Sequence, residues 1–200
     1  MGDFHAIQTQ TGWGRVLGVF ADWCAPQSGW LSLDAGCGPG LLPAILHRQG
    51  CHAYGIDLDS AVLHSEPLHP DLAQADVLFP PFPASTFHLV TASNVLFLLA
   101  DHLPALQALA RLIRPDGQVC LLNPSEKLSV ASATALADQR GLEGLARDSL
   151  IDWARRAEAN RRWSEAELAA LFAAAGLRTV ETTLKVGPGL ALFGRAVKRP

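Results

Sequence analysis

Three glycines alternate with other residues at positions 36–40, directly after a short apolar segment that ends in an acid. An apolar segment of this length predicts a buried strand, and alternating glycines predict a loop whose backbone approaches another group closely. The next segment, LLPAILHRQG, has the length and apolar content of a helix, and Gly50 is typical of a residue that ends one. A second apolar segment then ends at Asp57. This order of strand, glycine loop, helix, strand and acid predicts a nucleotide-binding βαβ unit.

The composition is that of a folded chain of moderate size. It has 200 residues, of which 49% are hydrophobic and 18% charged, so we expect one domain with a substantial core. The formal net charge is −3, so no general positive field attracts nucleic acid. The four cysteines lie far apart, without the spacing of a zinc site, and are predicted to be small buried apolar residues rather than metal ligands.

The start of the chain carries no recognisable targeting signal. It reads MGDFHAIQ, without a basic segment followed by an apolar one. No stretch approaches the roughly 18 uninterrupted apolar residues that a membrane span needs. These features predict a cytoplasmic protein with reduced thiols and no membrane contact.

Residues 4–24 carry apolar side chains at helical spacing, among them Trp13 and Phe20. This spacing predicts one N-terminal helix that docks on the sheet. The alternative is a mobile lid whose Trp13 or Phe4 contacts a ligand.

Strand-like and helical segments continue to alternate as far as residue 123. A helix is predicted after Asp101, and such alternation favours a doubly wound α/β fold, with a mostly parallel sheet and helices on both faces. Residues 124–163 interrupt it with a helix-prone segment rich in alanine and leucine. The later predicted strands cover residues 73–78, ending near Asp76, then 87–93 and 119–122, with a turn at 114–117.

The end of the chain has two clear local patterns. Ser164 and Glu167 have the spacing of a capping box, which predicts the start of the last helix. Gly176 is predicted to end that helix, and the segments LRTVETTLK and LALFGRAVK on either side of VGPG predict a terminal β-hairpin.

Asp34 stands two residues before the first glycine and completes the pattern D-x-G-x-G-x-G, which resembles the first motif of the class I, Rossmann-like S-adenosylmethionine-dependent methyltransferases. Dinucleotide-binding loops instead need a small residue where this chain has Leu41. The segments YGIDLDSAVL, QADVLFPPFPASTFHLVTAS, LARLIRPDGQVCLLNP and WSEAELAALFAAAGL are similar to later parts of the same family. The resemblance covers residues 31–123 well and residues 163–197 more loosely.

This resemblance implies a seven-stranded sheet that is mostly parallel and ends in an antiparallel C-terminal hairpin. We therefore expect one methyltransferase-like domain over residues 1–200. Its predicted parts are an N-terminal helix (1–25), a cofactor-binding core (31–123), a helical insertion or lid (124–163), and the last helix with the hairpin (164–200).

The resemblance also implies roles for single residues. Asp57 matches the acid that holds the two ribose hydroxyls, Asp76 the residue at the adenine amino group, and Val77 the backbone beside the ring. The resemblance assigns no role to Asn94 or Asn123, but both follow predicted parallel strands, so they are expected as substrate residues at the same sheet edge. The expected cofactor-binding residues are Asp34, Gly36, Cys37, Gly38, Gly40, Asp57, Leu58, Asp76, Val77 and Ser93, with no metal ligand.

The acids at this edge have simpler interpretations as well. Asp34 could brace the glycine loop, Asp57 could end a strand, and Asp76 could close a turn. Three acids together would repel a pyrophosphate, whereas they suit a ligand that carries an ammonium and a sulfonium. The charge pattern therefore favours S-adenosylmethionine, with S-adenosylhomocysteine as product, over a dinucleotide.

The implied reaction is an in-line attack of a substrate oxygen, nitrogen, carbon or sulfur on the sulfonium methyl group. We expect a small-molecule acceptor, because the N-P-P-[YF] motif of base methylation is absent after the fourth strand, where the chain reads SNVL. Two alternatives stay open, namely a non-catalytic S-adenosylmethionine-binding protein or partner subunit, and a nicotinamide-dependent dehydrogenase. No general base is identified, and the candidates by residue type alone are His5, His64, His69 and His102.

Overall fold

Seven strands form one sheet in the order β3-β2-β1-β4-β5-β7-β6 in the computed structural model, which describes residues 4–64, 67–69 and 71–198. The first five strands pair in parallel, and β7 runs antiparallel to both β5 and β6. The predicted fold class is therefore confirmed. The strands are β1 (Leu31–Ala35), β2 (His52–Asp57), β3 (Leu72–Gln74), β4 (Phe87–Ser93), β5 (Ile113–Pro124), β6 (Leu177–Lys185) and β7 (Ala191–Lys198).

Eight α-helices accompany the sheet within the described residues, together with a short 3₁₀ helix at Leu96–Leu98. Asp101 caps α5 by accepting a hydrogen bond from the Leu103 N–H, and Ser164 and Glu167 form the predicted capping box of α8. The helices are α1 (Phe4–Gln10), α2 (Trp13–Trp23), α3 (Leu41–Arg48), α4 (Ser60–His64), α5 (His102–Leu112), α6 (Val130–Gln139), α7 (Gly144–Ala159) and α8 (Glu165–Ala174).

The strand order reverses between β1 and β4. From β1 the chain passes through α3 to β2 on one side, and from β4 it passes through α5 to β5 on the other. Since parallel crossovers are right-handed, α3 and α5 lie on opposite faces of the sheet. In such a sheet a crevice opens at the carboxyl ends of the two strands where the order reverses.

The core continues on both faces of the sheet. On one face, Phe20 of α2 packs edge-on against Phe193 of β7, with ring centroids 5.0 Å apart. On the other face, Leu168 and Phe172 of α8 lie so close to Gly194 that an added Cβ would come within 2.9 Å of either side chain. Adjacent residues of one strand thus contact helices on opposite sides, as expected of a doubly wound sheet.

The prediction of one N-terminal helix is wrong, because the described segment forms two helices, α1 and α2. The hydroxyl of Thr11 donates to the Ile7 carbonyl and accepts from the Trp13 N–H, so the chain turns here instead of continuing the helix. Gly12 follows directly. Residues 1–3 lie outside the described part of the chain.

Two strand boundaries also differ from the prediction. The third strand ends at Gln74, before Asp76, because the Asp76 carboxylate accepts a hydrogen bond from the Leu78 N–H and bends the chain into a turn. The fifth strand begins at Ile113 rather than residue 119. The predicted turn at residues 114–117 is a bulge within it, opposite the single residue His88 of β4.

In the part of the chain that the structure describes, no helix combines the length and apolar character needed to cross a membrane.

Candidate functional site

A cavity of about 400 Å³ opens at the carboxyl edge of the sheet, where the strand order reverses. This volume lies within the range of roughly 300–1,000 Å³ that is usual for small-molecule sites. Its floor is built from the glycine loop after β1 and the residues that follow β2, β3 and β4. Its roof comes from α1, the start of α2, and α7.

The glycine loop is held against β2 by its backbone. The N–H groups of Gly36 and Cys37 both donate to the Ile56 carbonyl, over 2.7 and 3.0 Å. Gly36 has φ of 75°, and a Cβ there would come within 1.9 Å of Val95 Cγ2, so only glycine fits. Gly36 and Gly38 line the cavity, which leaves their backbone open to a ligand.

Asp57, the last residue of β2, is fixed by two backbone donors. Its Oδ2 accepts a hydrogen bond from the Gly38 N–H at 2.8 Å, and its Oδ1 accepts one from the Asp59 N–H at 3.0 Å. Each carboxylate oxygen can accept more than one hydrogen bond. Asp57 and Leu58 both line the cavity, so the carboxylate presents acceptor capacity at a fixed position.

Asp76 closes a turn and lines the cavity at the same time. Its Oδ1 accepts from the Leu78 N–H at 2.9 Å, and its carbonyl accepts from the Phe79 N–H at 3.0 Å. Val77 lines the same part of the cavity. Asp76 can therefore close a turn, as in the simpler interpretation, and also contact a ligand in the cavity.

Asp34 does not reach the cavity. It is 2% exposed and lies beside Thr91, its register partner on β4, whose hydroxyl donates to Oδ1 at 2.8 Å. Burial raises the pKa of Asp34 to about 7; the Thr91 hydrogen bond opposes this rise and the charge of Asp57 adds to it. The structure therefore corrects the expectation that Asp34 faces the ligand, because its carboxyl is enclosed between two strands.

Three further predicted residues also lie away from the cavity lining. Cys37 is buried, and this burial raises the pKa of its thiol, which keeps the thiol neutral. Gly40 packs against Leu72 at the start of β3 and precedes α3. Asn123 is fully buried in β5, and neither atom of its amide has a hydrogen-bond partner among the described residues. All four cysteines are buried and unpaired, as predicted.

Ser93 and Asn94, at the end of β4, line the cavity on the side away from β3. Asn94 has φ of 57°, a conformation that asparagine tolerates better than most residues. Its N–H donates to the Leu122 carbonyl at 2.8 Å. Its Oδ1 accepts a hydrogen bond from the indole N–H of Trp153 at 3.0 Å, so the amide is tied to α7.

The roof contains residues that sequence reasoning left out. Phe4 and Trp13 line the cavity, in line with the alternative interpretation of the N-terminal segment, and the Trp13 ring meets Trp153 edge-on with centroids 4.9 Å apart. The periodicity of α7 gave no signal for a site, since apolar stripes are typical of any packed helix. Trp153 and Arg156 belong to the segment predicted as a helical insertion or lid, whereas the roof residues missed from the sequence are Ile7, Gln8, Ser149 and Asp152.

The electrostatics of the cavity are mixed. Asp152 and Arg156 form an i,i+4 ion pair of 2.8 Å in the roof, and both side chains are about half exposed. Among the described residues no group of three or more histidines, cysteines, aspartates or glutamates could hold a metal ion. His5, His69 and His102 are absent from the cavity lining, and the side chain of His64 lies outside the described residues.

Comparison with known proteins places this architecture in context. The model of a family described as methyltransferase domain matches residues 8–182. The ubiquinone biosynthesis O-methyltransferase of Paracidovorax citrulli is 37% identical over an alignment of 108 positions, which covers 49% of this chain and 45% of that protein. The nocamycin O-methyltransferase of Saccharothrix syringae is 37% identical over an alignment of 115 positions, which covers 52% of this chain and 41% of that protein. The chain thus spans less than half the length of these two curated relatives.

Solved structures share the fold at low sequence identity. The putative methyltransferase of Haloferax volcanii, in complex with the Trm112 methyltransferase activator, has a TM-score of 0.71 and 17% identity, with 99% of this chain and 94% of that one covered. Magnesium protoporphyrin IX methyltransferase of Synechocystis PCC 6803, with bound SAH, has a TM-score of 0.65 and 18% identity, with 94% and 84% covered. At these identities the likeness concerns the fold.

Proposed function

We propose that this chain, which belongs to the methyltransferase-domain family, transfers a methyl group from S-adenosylmethionine to an oxygen atom of a small organic acceptor. The proposal rests on one arrangement above all. Asp57 is held by the N–H groups of Gly38 and Asp59 at the mouth of the crevice, as a carboxylate that grips ribose hydroxyls would be.

The residues present fit the cofactor in kind. Asp57 would accept the ribose hydroxyls, each charge-assisted hydrogen bond contributing roughly 1.5–3 kcal/mol. Gly36 and Gly38 would leave room for the amino-acid end of the cofactor, beyond the ribose. Asp76 and the Val77 backbone would contact the adenine. The bound cofactor would supply an electrophilic methyl group on a sulfonium, which is a good leaving group.

The acceptor side supports a small, partly apolar molecule. Trp13, Phe97 and Trp153 line the same cavity as Ser93 and Asn94, and Trp153 contacts both Asn94 and Trp13. Both of the curated relatives described above are named as O-methyltransferases, which favours oxygen as the attacked atom. An aromatic wall suits an acceptor with a flat ring, such as a phenol.

The protein would act by position rather than by acid–base chemistry. The described histidines named above do not line the cavity. A phenol is partly ionised to phenolate without an enzymatic base when the pH approaches its pKa. The enclosed cavity would then hold the phenolate oxygen in line with the methyl carbon. Orientation of this kind accounts for a large part of the rate enhancement in such displacements.

Titration calorimetry with S-adenosylhomocysteine is the first test. We expect binding by the unaltered chain and no binding of NADH. Asp57→Ala should weaken S-adenosylhomocysteine binding roughly 10-fold or more. The control is Asp148→Ala, which removes an exposed carboxylate of α7 and should leave binding unchanged. Absence of binding by the unaltered chain, or preferential binding of NADH, would overturn the proposal.

A methylation screen with methyl-deuterated S-adenosylmethionine is the second test. Phenols, alcohols and carboxylic acids are compared with amines and thiols, and products are identified by mass spectrometry. We expect a gain of a deuterated methyl group on oxygen. Transfer to nitrogen or sulfur alone would reject oxygen as the acceptor atom. Cofactor binding without turnover of any compound would favour the alternative of a non-catalytic subunit on the same fold.

A further inference from the structure

The side-chain NH₂ group of Asn94 is a hydrogen-bond donor that the described part of the protein leaves unused. Trp153 donates its indole N–H to Oδ1 at 3.0 Å, and because an indole has no acceptor, the oxygen of the amide must face it. No described residue accepts a hydrogen bond from Nδ2, and Nδ2 is not one of the enclosed unpaired atoms, so it keeps accessible surface. Asn94 lines the cavity, so this donor is open to a molecule bound there.

The Asn94 amide is held in one orientation from both ends. The backbone N–H of the residue donates to the Leu122 carbonyl at 2.8 Å, which ties it to β5. Trp153, which holds Oδ1, is only 5% exposed, and its ring meets Trp13 edge-on. A donor fixed in this way needs no rearrangement when a ligand arrives, which makes its hydrogen bond more effective.

Asn94 adjoins both the glycine loop and the aromatic part of the cavity. The next residue, Val95, packs so closely on the loop that a Cβ on Gly36 would come within 1.9 Å of Val95 Cγ2. On the roof side, Asn94 contacts Trp153, which in turn contacts Trp13. In the proposal above the glycine loop belongs to the cofactor and the aromatic rings to the acceptor. Methyl transfer requires the attacking atom to lie where these two parts of the cavity meet.

A hydrogen-bond donor at this place suits an oxygen nucleophile better than an amine. A phenolate oxygen only accepts hydrogen bonds, whereas an amine presents N–H groups that need an acceptor. The amide oxygen of Asn94 could serve as one, but it is directed to the indole of Trp153. A hydrogen bond to the ionised oxygen also lowers the pKa of a phenol and favours phenolate, which matters because no described histidine lines the cavity.

We propose that the NH₂ group of Asn94 donates a hydrogen bond to the acceptor oxygen that is methylated, and that Trp153 is a positioning residue that keeps this donor turned towards the acceptor. This rests on the proposed function and selects oxygen over nitrogen at the same site. The phenol loses its proton to solvent. A lone pair of the phenolate oxygen then forms the bond to the methyl carbon, while the carbon–sulfur bond breaks and its electron pair stays on sulfur. Asn94 keeps its protons throughout.

Binding of 4-nitrophenol and 4-nitroaniline tests the donor without turnover, since the two compounds share one ring and differ in the atom that would face Asn94. Calorimetry is carried out on the full chain saturated with S-adenosylhomocysteine, at a pH where 4-nitrophenol is ionised. We expect the unaltered chain to bind 4-nitrophenolate at least about 10-fold more tightly than 4-nitroaniline, as for a hydrogen bond to a charged group.

Two variants remove the donor in different ways. Asn94→Asp keeps the shape of the side chain and an oxygen for the Trp153 indole, and aspartate tolerates positive φ. Asn94→Gly removes the amide without adding charge, and glycine adopts the φ of 57° freely. Both should weaken 4-nitrophenolate binding roughly 10- to 150-fold, with S-adenosylhomocysteine affinity unchanged to within about threefold. Gln139→Glu makes the same amide-to-carboxylate change at an exposed position of α6 and should change neither affinity.

Trp153→Phe tests the positioning role. It frees Oδ1, so the amide can rotate and offer its oxygen to an amine. We expect the preference for 4-nitrophenolate over 4-nitroaniline to narrow, with tighter binding of 4-nitroaniline, whereas a purely structural loss would weaken both compounds equally. Trp30→Phe, at the other end of the sheet, should keep the full preference. Urea unfolding identifies any variant that does not fold, and the two Asn94 variants then decide the matter.

The outcomes separate the inference from the proposed function. If the unaltered chain does not bind S-adenosylhomocysteine, the proposed function fails and the inference with it. If the chain binds S-adenosylhomocysteine but not 4-nitrophenolate, or binds the two ring compounds equally, only the inference fails. Loss of 4-nitrophenolate binding in Asn94→Asp but not in Asn94→Gly would also overturn it, since charge repulsion alone would explain that result. Equal losses for S-adenosylhomocysteine and 4-nitrophenolate would indicate a structural role and overturn it as well.

Discussion

The indole N–H of Trp153 donates a 3.0 Å hydrogen bond to Oδ1 of Asn94 and so joins α7 to the loop that follows β4. The bond fixes which end of the Asn94 amide is occupied, because Oδ1 accepts from the indole and the NH₂ group is left for a ligand. A helix from the inserted segment therefore orients a polar side chain at the sheet edge. This contact couples the roof of the cavity to its floor.

Trp153→Phe should lower the free energy of unfolding because it removes the indole donor while keeping an aromatic ring in place. We expect a loss of about 0.5–1.5 kcal/mol from the hydrogen bond, in addition to the effect of the smaller ring. Urea unfolding measures this loss of stability, and Trp30→Phe is the control. Trp30 stacks on His88 at the other end of the sheet, away from the cavity. Equal losses in the two variants would contradict the prediction.

Asn94→Gly and Asn94→Ala should differ in stability although both lose the hydrogen bond to Trp153. Asn94 has φ of 57°, which glycine adopts freely and alanine does not. Alanine should therefore be less stable than glycine by roughly 1 kcal/mol in urea unfolding. The order would reverse if the loop relaxed to negative φ in the variants, and that result would count against a fixed conformation at Asn94.

The fold was predictable because its signals are local. The glycine loop, the capping box at Ser164 and the glycine after α8 each act through neighbouring residues, and the alternation of segments follows from burial on both faces of the sheet. The limits of β3 were not predictable in the same way. Val77 and Leu78 are apolar and strand-like, but the side chain of Asp76 bends the backbone just before them.

The candidate site was predictable only where it follows from the order of the strands. Gly36, Gly38, Asp57, Leu58, Asp76, Val77, Ser93 and Asn94 all line the cavity, since each lies at the carboxyl end of a parallel strand or follows one closely. Asp34 does not, because it faces Thr91 within the sheet. The roof depends on how α1 and α7 dock, which is a matter of contacts between residues more than 100 positions apart, such as Trp13 and Trp153.

Gly36→Ala should be strongly destabilising because it combines two unfavourable effects. The residue has φ of 75°, and the new Cβ would come within 1.9 Å of Val95 Cγ2. Overpacking of this kind costs about 1–3 kcal/mol, in addition to about 1 kcal/mol for the left-handed backbone. The matched control is Gly141→Ala, with φ of 60° and open space, which should lose only the backbone part.

The steric part of this prediction has its own test. Combining Gly36→Ala with Val95→Ala removes both γ carbons of Val95, including the Cγ2 that the new Cβ would meet at 1.9 Å, so the double variant should be more stable than the sum of the two single losses predicts. Unfolding by urea measures all three. If Gly36→Ala and Gly141→Ala lose equal stability, contact with Val95 does not constrain the loop.

Asp34→Asn should become more stable relative to the unaltered chain as the pH rises from 5 to 7. Burial raises the pKa of Asp34 to about 7, above its value in the unfolded chain. Between the two pKa values the folded protein holds a proton that the unfolded chain has lost. The contribution of Asp34 to the free energy of unfolding is therefore fully present below about pH 4 and declines as the pH rises towards 7. The decline is at most about 1.4 kcal/mol per pH unit. Asparagine does not titrate, keeps an acceptor for the Thr91 hydroxyl and removes this decline.

The measurement is urea unfolding at pH 5, 6, 7 and 8, and the control is Asp148→Asn at an exposed position. If the difference in stability between Asp34→Asn and the unaltered chain stays constant over this range, Asp34 is not protonated within the folded protein.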